Sequence, residues 1–265
     1  MTVHALPARQ GGPIAGLRNC AWLAWRSLVQ IKHNPMELMD MSVQPVMFLL
    51  LFVFVFGGQM AGSPGEYLQY ALGGLIVQNS LFTALNTAVG LNGDIRKGVF
   101  DRFRSLPIAR SAPLVGRIAA DLAKQVWAIA LMLVLGLAIG FDLKGGVGGA
   151  LAVFALLLLF TLAMSWMTVL LGIVAGSEEK VQMLGFVLVM PLTFTSSAFV
   201  RADTFPAPLQ WWSRVNPVTA IADASRDLLN GHVHSGPILT TLAWAAGIAV
   251  VFFPLAMRAY RSKLS

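Results

Sequence analysis

The sequence predicts an all-α integral membrane protein with six transmembrane helices, and three observations carry that prediction. Of its 265 residues, 57% are hydrophobic and only 12% are charged, whereas a soluble domain carries about 25% charged residues. The apolar residues gather into blocks of about 20 residues, the length a helix needs to cross some 30 Å of hydrocarbon. Lys and Arg fall mainly on alternate connections between those blocks, as the positive-inside rule requires of a multi-pass chain.

The blocks are 41–60, 68–90, 120–141, 148–175, 183–200 and 237–257. None alternates as a strand would, so a barrel is not predicted, and backbone groups in lipid must be satisfied within helices. A soluble helical bundle would need polar helix faces, which stretches such as "MFLLLFVFVFGG" and "ALAVFALLLLF" lack. Four basic residues precede the first block and none follows it directly. Seven lie between the second and third, counting Lys124 at the edge. With a cytoplasmic N-terminus, fifteen basic residues fall inside and four outside, so both termini are expected in the cytoplasm of a plasma-membrane protein. The formal charge of +7 then reflects loops beside anionic lipid, and no nucleic-acid partner is expected.

Residues 1–40 carry no secretory signal pattern, so the N-terminus is expected to be retained. Within them, "GLRNCAWLAWRSLVQIKHNP" is too short to span. It places Leu17, Ala21, Trp25 and Leu28 on one stripe beside Arg18, Arg26 and Lys32, the pattern of an interfacial helix. Cys20 is the only cysteine, which excludes an intrachain disulfide. Between the second and third blocks, "NGDIRKGVFDRFRSLPIARSAPLVGR" sets Val99, Phe100, Phe103 and Leu106 at helical spacing, with Arg96, Lys97, Asp101, Arg102 and Arg104 around them. Pro107 stops that helix. Such a helix can rest on lipid or plug a groove on a partner protein. Glu178, Glu179 and Lys180 form the turn between the fourth and fifth blocks. Before the last block, Asn216 and Pro217 start a helix that Asn230 and Gly231 end, with Val218, Ile221, Ala222, Leu228 and Leu229 on one face and Asp223, Arg226 and Asp227 on the other. Trp211 and Trp212 suit headgroup depth, so Trp211, Trp212, Asn216 and Pro217 are candidates for an extracytoplasmic gate.

Within the blocks, polar groups are few: Gln78, Asn79 and Asn86 in the second, Ser165 and Thr168 in the fourth, and Thr193, Thr195, Ser196 and Ser197 after Pro191 in the fifth. Proline frees a backbone carbonyl that hydroxyls can satisfy, so a bent fifth helix beside a conduit is expected. Gln78, Asn79, Asn86, Thr193, Thr195, Ser196 and Ser197 are the candidate conduit residues. Gly136 with Gly140 and Gly172 with Gly176 permit close helix approach. His232 and His234 lack further ligands, so no metal site is expected. No mid-span charge suggests ion coupling. No phosphate loop of the G-x-x-x-x-G-K-[ST] kind and no catalytic motif occurs, so any ATP hydrolysis belongs to another chain.

"QPVMFLLLFVFVFGG", "DIRKGVFDRFRSLPIARSAPLVGR" and "LQWWSRVNPVTAIADASRDLLNG" resemble the ABC type-2 membrane protein family over nearly the whole chain, and in particular its daunorubicin/doxorubicin-resistance permeases. The resemblance implies one membrane domain over 1–265, with an N-terminal interfacial helix, a cytoplasmic coupling helix and an extracytoplasmic re-entrant helix before the last span. It implies a coupling role, in contact with the ATPase, for Asp94, Arg96, Gly98, Phe103, Arg104, Leu106 and Pro107. Phe100 joins them from the amphipathic stripe. Many relatives have Glu where Asp94 stands; the shorter acid keeps the charge but shortens its reach. The implied partners are a nucleotide-binding ATPase subunit, which holds ATP and Mg, and a second permease subunit, identical or related. The implied activity is export of amphipathic drug-like or lipid-like substrates. Export of a lipid-linked polysaccharide and a membrane scaffold without transport are the alternative readings.

Overall fold

A computed structural model describes residues 35–98 and 112–264. The interfacial helix expected before Pro35 and the amphipathic helix with Phe100, Phe103, Arg104, Leu106 and Pro107 lie outside the described residues. Among those described, the backbone forms helices and turns without strands.

Helix α1 (Pro35–Leu50) runs through a π-helical segment, Leu51–Phe56, into α2 (Gly57–Ala61). The wider turns aim Phe52 and Val53 at the core while Phe54, Val55 and Phe56 face outward. Phe52 stacks on Phe199 with ring centroids 4.7 Å apart. Ser63 then caps α3 (Pro64–Arg96), its hydroxyl accepting from the Glu66 N–H at 3.2 Å. At 33 residues and a rise of about 1.5 Å per residue, α3 is long enough to cross and emerge. It is the central post of the bundle, packed against α4 (Ala112–Ile139), α5 (Gly146–Val174), α6 (Glu178–Phe194) and α8 (Pro217–Leu229). A short helix α7 (Ala207–Val215) precedes α8, and α9 (Ser235–Leu264) closes the chain along α5 and α8.

Polar clamps fix these crossings. The Thr168 hydroxyl donates to the Ala84 carbonyl at 2.7 Å, and the Asn92 amide donates to Gly172 and Ala175 carbonyls at 2.8 Å each. Both cross from α3 to α5 and tie the two helices together. A side chain on Gly172 would meet the Ala88 backbone at 2.6 Å, and one on Gly136 would meet Leu72 at 2.8 Å, whereas Gly140 and Gly176 have no such close neighbour. Half of each small-residue pair therefore serves packing.

Four described segments are long and apolar enough to cross a membrane: Ser42–Ala61, Gly116–Ile139, Gly146–Val174 and Ser235–Lys263. Three expected spans differ from the sequence reading. α3 carries its polar residues against its neighbours, which dilutes its hydropathy while they cover it. α6 ends at Phe194 rather than near residue 200, where hydroxyls share its last carbonyls: Thr193 bonds Val189, Thr195 bonds Pro191, and Ser196 bonds Thr193, at 2.6–2.7 Å, while the Thr195 and Ser196 N–H groups donate to the Pro191 and Thr193 carbonyls as well. α4, in turn, starts at Ala112, well before the expected residue 120. Arg117 lies within it.

Candidate functional site

On α3, Asn79, Phe82, Thr83 and Asn86 follow the spacing of one helical face, and on α4 so do Arg117, Asp121, Lys124 and Ala128. The two faces meet beside Gln44 and Pro45 of α1 and enclose a cavity of about 370 Å³ lined by these residues. Its size falls within the range of about 300–1,000 Å³ usual for small-ligand clefts.

Charges gather at one end of the cavity. Arg117 forms an ion pair with Asp94 near the end of α3. Its Nε lies 3.8 Å from Asp121 Oδ2, and Lys124 Nζ lies 3.8 Å from Asp121 Oδ1. The two charges of the first pair are only 28% and 34% exposed, so each depends on its partner to offset desolvation. Gly90 makes room for this arrangement: a Cβ there would collide with the Arg117 guanidinium. Three buried atoms in the cluster have no hydrogen-bond partner, namely Asn79 Nδ2, Arg117 Nε and Asp121 Oδ2. Each unmade bond costs about 1–3 kcal/mol.

Asp94 and Arg117 also flank the segment 99–111. α3 ends at Arg96, and Gly98, with φ of +65°, donates its N–H to the Ile95 carbonyl at 3.2 Å. That left-handed conformation suits glycine and turns the chain out of the helix. Glu178, at the start of α6, approaches the same corner, where a side chain on Gly93 would meet its carboxylate at 2.7 Å. The Ser177 hydroxyl caps α6 through the Lys180 N–H at 3.3 Å. Bonding by Ser177 also holds the Glu179 carboxyl below its usual range.

The candidate conduit residues separate into four places. Asn79 and Asn86 line the cavity; Gln78 is buried elsewhere on α3, and its Nε2 has no partner. Thr193, Thr195 and Ser196 bond to the carbonyls that end α6. Ser197 belongs to a cluster centred on Arg226 of α8. The Arg226 guanidinium donates to Asp223 Oδ1 at 2.6 Å and to the Ser197 carbonyl at 2.7 Å, its Nε donates to the Tyr70 carbonyl at 2.9 Å, and its Cζ lies 3.8 Å from the Tyr70 ring centroid. The Ser197 hydroxyl donates to the same Asp223 oxygen at 2.7 Å.

The candidate gate residues sit next to that cluster. Asn216 caps α8, accepting from the Val218 N–H at 2.9 Å, while its amide donates to the Leu192 carbonyl at 2.7 Å. Pro217 is buried at the first position of α8. Trp212 donates to the Thr195 hydroxyl at 2.8 Å, and Trp211 is 66% exposed. The α8 face with Asp223 and Arg226, read from the sequence as the face opposite the apolar one, is turned toward α3 and the end of α6. His234 approaches Asp227 at 2.9 Å, and among the described residues no three metal-ligating side chains gather.

The Arg117, Asp121 and Lys124 stripe and the space at Gly90 are what sequence reading missed. The signal was the recurrence of charge every three or four residues across the boundary assigned to the third block. Replacing Gly90 by Val is expected to push Arg117 off Asp94 and to lower stability by about 1–3 kcal/mol. A thermal-unfolding midpoint equal to that of the unaltered protein in the same detergent would contradict this packing.

With this geometry in view, the family profile described as ABC-2 type transporter matches residues 18–230. The daunorubicin resistance ABC transporter permease protein DrrB1 of Streptomyces coeruleorubidus is 39% identical, over 90% of this chain and 84% of its own. The inner membrane transport permease YadH of Escherichia coli K12 is 23% identical, over 87% of this chain and 90% of its own.

Proposed function

We infer the function from one premise: this chain belongs to the ABC-2 type transporter family. On that premise it is the membrane-spanning permease subunit of an ATP-binding-cassette exporter that moves amphipathic drug-like or lipid-like molecules out of the cytoplasm or inner leaflet. The reading of its cargo is supported by its 39% identity to a permease named for daunorubicin resistance. ATP and Mg are held by a separate ATPase subunit, and a second permease subunit, identical or related, completes the pathway. α1 with its π segment and α2, then α3, α4, α5, α6 and α9, each cross once, and α7 with α8 forms the re-entrant element on the outer side. The basic residues of the sequence support this orientation.

One observation carries the mechanism: the segment 99–111, which holds the coupling helix of this reading, is closed at its base by the Asp94–Arg117 ion pair, and the same Arg117 lines the polar cavity. Displacement of the coupling helix by ATP-driven closure of the ATPases is then transmitted through α4 to the cavity. Asp94, Arg96 and Gly98 set where that segment leaves α3. Trp211, Trp212, Asn216 and Pro217 form the outer gate, braced on the end of α6.

Topology gives a direct test. A reporter fused near His232 is expected to read as outside and one near Arg104 as inside, by alkaline phosphatase and fluorescent-protein activity. The opposite pattern would overturn the orientation and the coupling role together.

A further inference from the structure

The cavity between α1, α3 and α4 has a composition that selects among ligand chemistries. Its partnerless atoms are two donors, Asn79 Nδ2 and Arg117 Nε, and one acceptor, Asp121 Oδ2. The Arg117–Asp121 and Lys124–Asp121 contacts, both 3.8 Å, are ion pairs too long to be hydrogen bonds. Arg117 and Lys124 are matched by Asp121 and by Asp94, which holds Arg117 from the far side. A phosphate or ammonium head would therefore add an unmatched charge to a network that already balances, in surroundings where an unmatched charge is costly.

These three atoms are covered in this structure, and a hydroxyl group that displaces the side chains over them answers all three. Its O–H can donate to Asp121 Oδ2 while its oxygen accepts from Arg117 Nε and Asn79 Nδ2. Gln44, Thr83 and Asn86 offer further polar contacts around the same space. On the apolar side Phe82 lines the cavity, and its ring lies 5.8 Å from that of Phe186, which is 39% exposed. That pair provides a surface for a hydrocarbon tail to leave along.

We propose that this intrasubunit cavity is a binding site for the uncharged, hydroxyl-bearing head of an amphipathic molecule, gripped between Asn79, Arg117 and Asp121. The site stands on the cavity alone; that its ligand is the transported cargo rests on the exporter reading above. Because Arg117 also holds Asp94, occupancy of the site is felt at the base of the segment 99–111.

The test is native mass spectrometry of the full chain with three probes that share dioctanoyl tails: dioctanoylglycerol, dioctanoyl phosphatidate and dioctanoyl trimethylammonium propane. The glycerol is expected to saturate at one copy per chain and to bind about tenfold more tightly than either charged probe. Asn79→Leu, which fills the cavity, and Asp121→Asn are each expected to weaken it about tenfold. Thr240→Ala is the control: Thr240 lies on α9 and its hydroxyl bonds its own helix at Gly236, 2.9 Å away. Binding there should be unchanged. Equal binding of all three probes, preference for the phosphatidate or the ammonium, or full binding by Asn79→Leu would overturn the proposal. Should Asp121→Asn fail to fold, Asn79→Leu decides. Selective glycerol binding that leaves ATP hydrolysis by the assembled complex unchanged would retain the site and overturn the cargo reading alone.

Discussion

Replacing Arg226 by alanine is expected to destabilise the protein by about 3 kcal/mol, the lower end of the range for breaking a buried ion pair. Arg226 is 15% exposed and ties three elements together: Asp223 on its own helix, the Tyr70 carbonyl on α3, and the Ser197 carbonyl past the end of α6. Its guanidinium also lies over the Tyr70 ring, a contact lysine would not reproduce because it lacks the planar fork. Alanine removes one donor from each of two carbonyls, leaving that of Ser197 with only the Tyr70 hydroxyl at 2.8 Å, and leaves the Asp223 carboxylate with only the Ser197 hydroxyl. The lower figure applies because Asp223 is 37% exposed and water can reach it. Unfolding in mixed micelles would measure the loss. A companion Asp223→Ala, Arg226→Leu double variant is expected to recover part of it, because the stranded charge is removed. Loss below 0.5 kcal/mol in the single variant, a value typical of about neutral surface changes, would mean that the cluster does not hold α8 in place.

The second large effect concerns assembly. Phe103→Asp is expected to abolish co-purification of the ATPase subunit while membrane insertion proceeds normally. A carboxylate brought into an apolar groove without a partner opposes docking by several kcal/mol, enough to lower occupancy by orders of magnitude, while a span-free segment contributes little to insertion. Phe103 lies outside the described residues, so this expectation stands on the apolar stripe of Val99, Phe100, Phe103 and Leu106. Retention of the ATPase by the Phe103→Asp protein at unchanged yield would remove the proposed contact. Arg117→Ala, tested alongside it, separates two roles: docking should persist, but hydrolysis should no longer respond to ligand.

The helices were legible in the sequence wherever the signal was local. Asn216 followed by Pro217 and closed by Asn230 and Gly231 defined α8, because capping chemistry is spent within a few residues of where it is read. The fifth block was read too long. Its apolar pattern runs to residue 200, but the helix stops at Phe194, where the hydroxyls of Thr193, Thr195 and Ser196 share the last carbonyls with backbone N–H groups. The third block starts too late at residue 120 and so leaves Arg117, the first charge of the stripe that completes the candidate cavity, in the loop, while Asp121 and Lys124 fall at its edge. The second block falls within α3, yet Gln78, Asn79 and Asn86 share one role in the sequence reading where the fold separates them: Asn79 and Asn86 face the cavity and Gln78 is buried away from it, while Gln69, which bonds Asp142 and Asn230, and Asn92, which clamps α5, carry no role there.

By itself the sequence determined that this chain is helical and suited to lipid, where its chain-local hydrogen bonds must form, and it determined the family. Only the tertiary structure decided which polar groups meet. Asp94 and Arg117 stand 23 positions apart, and Tyr70 and Arg226 stand 156 apart. No local pattern links such pairs. Their meeting depends on where helices cross, which is set by close approaches such as Gly172 on Ala88, and a shift of one helical residue there would turn each partner about 100° away from the other.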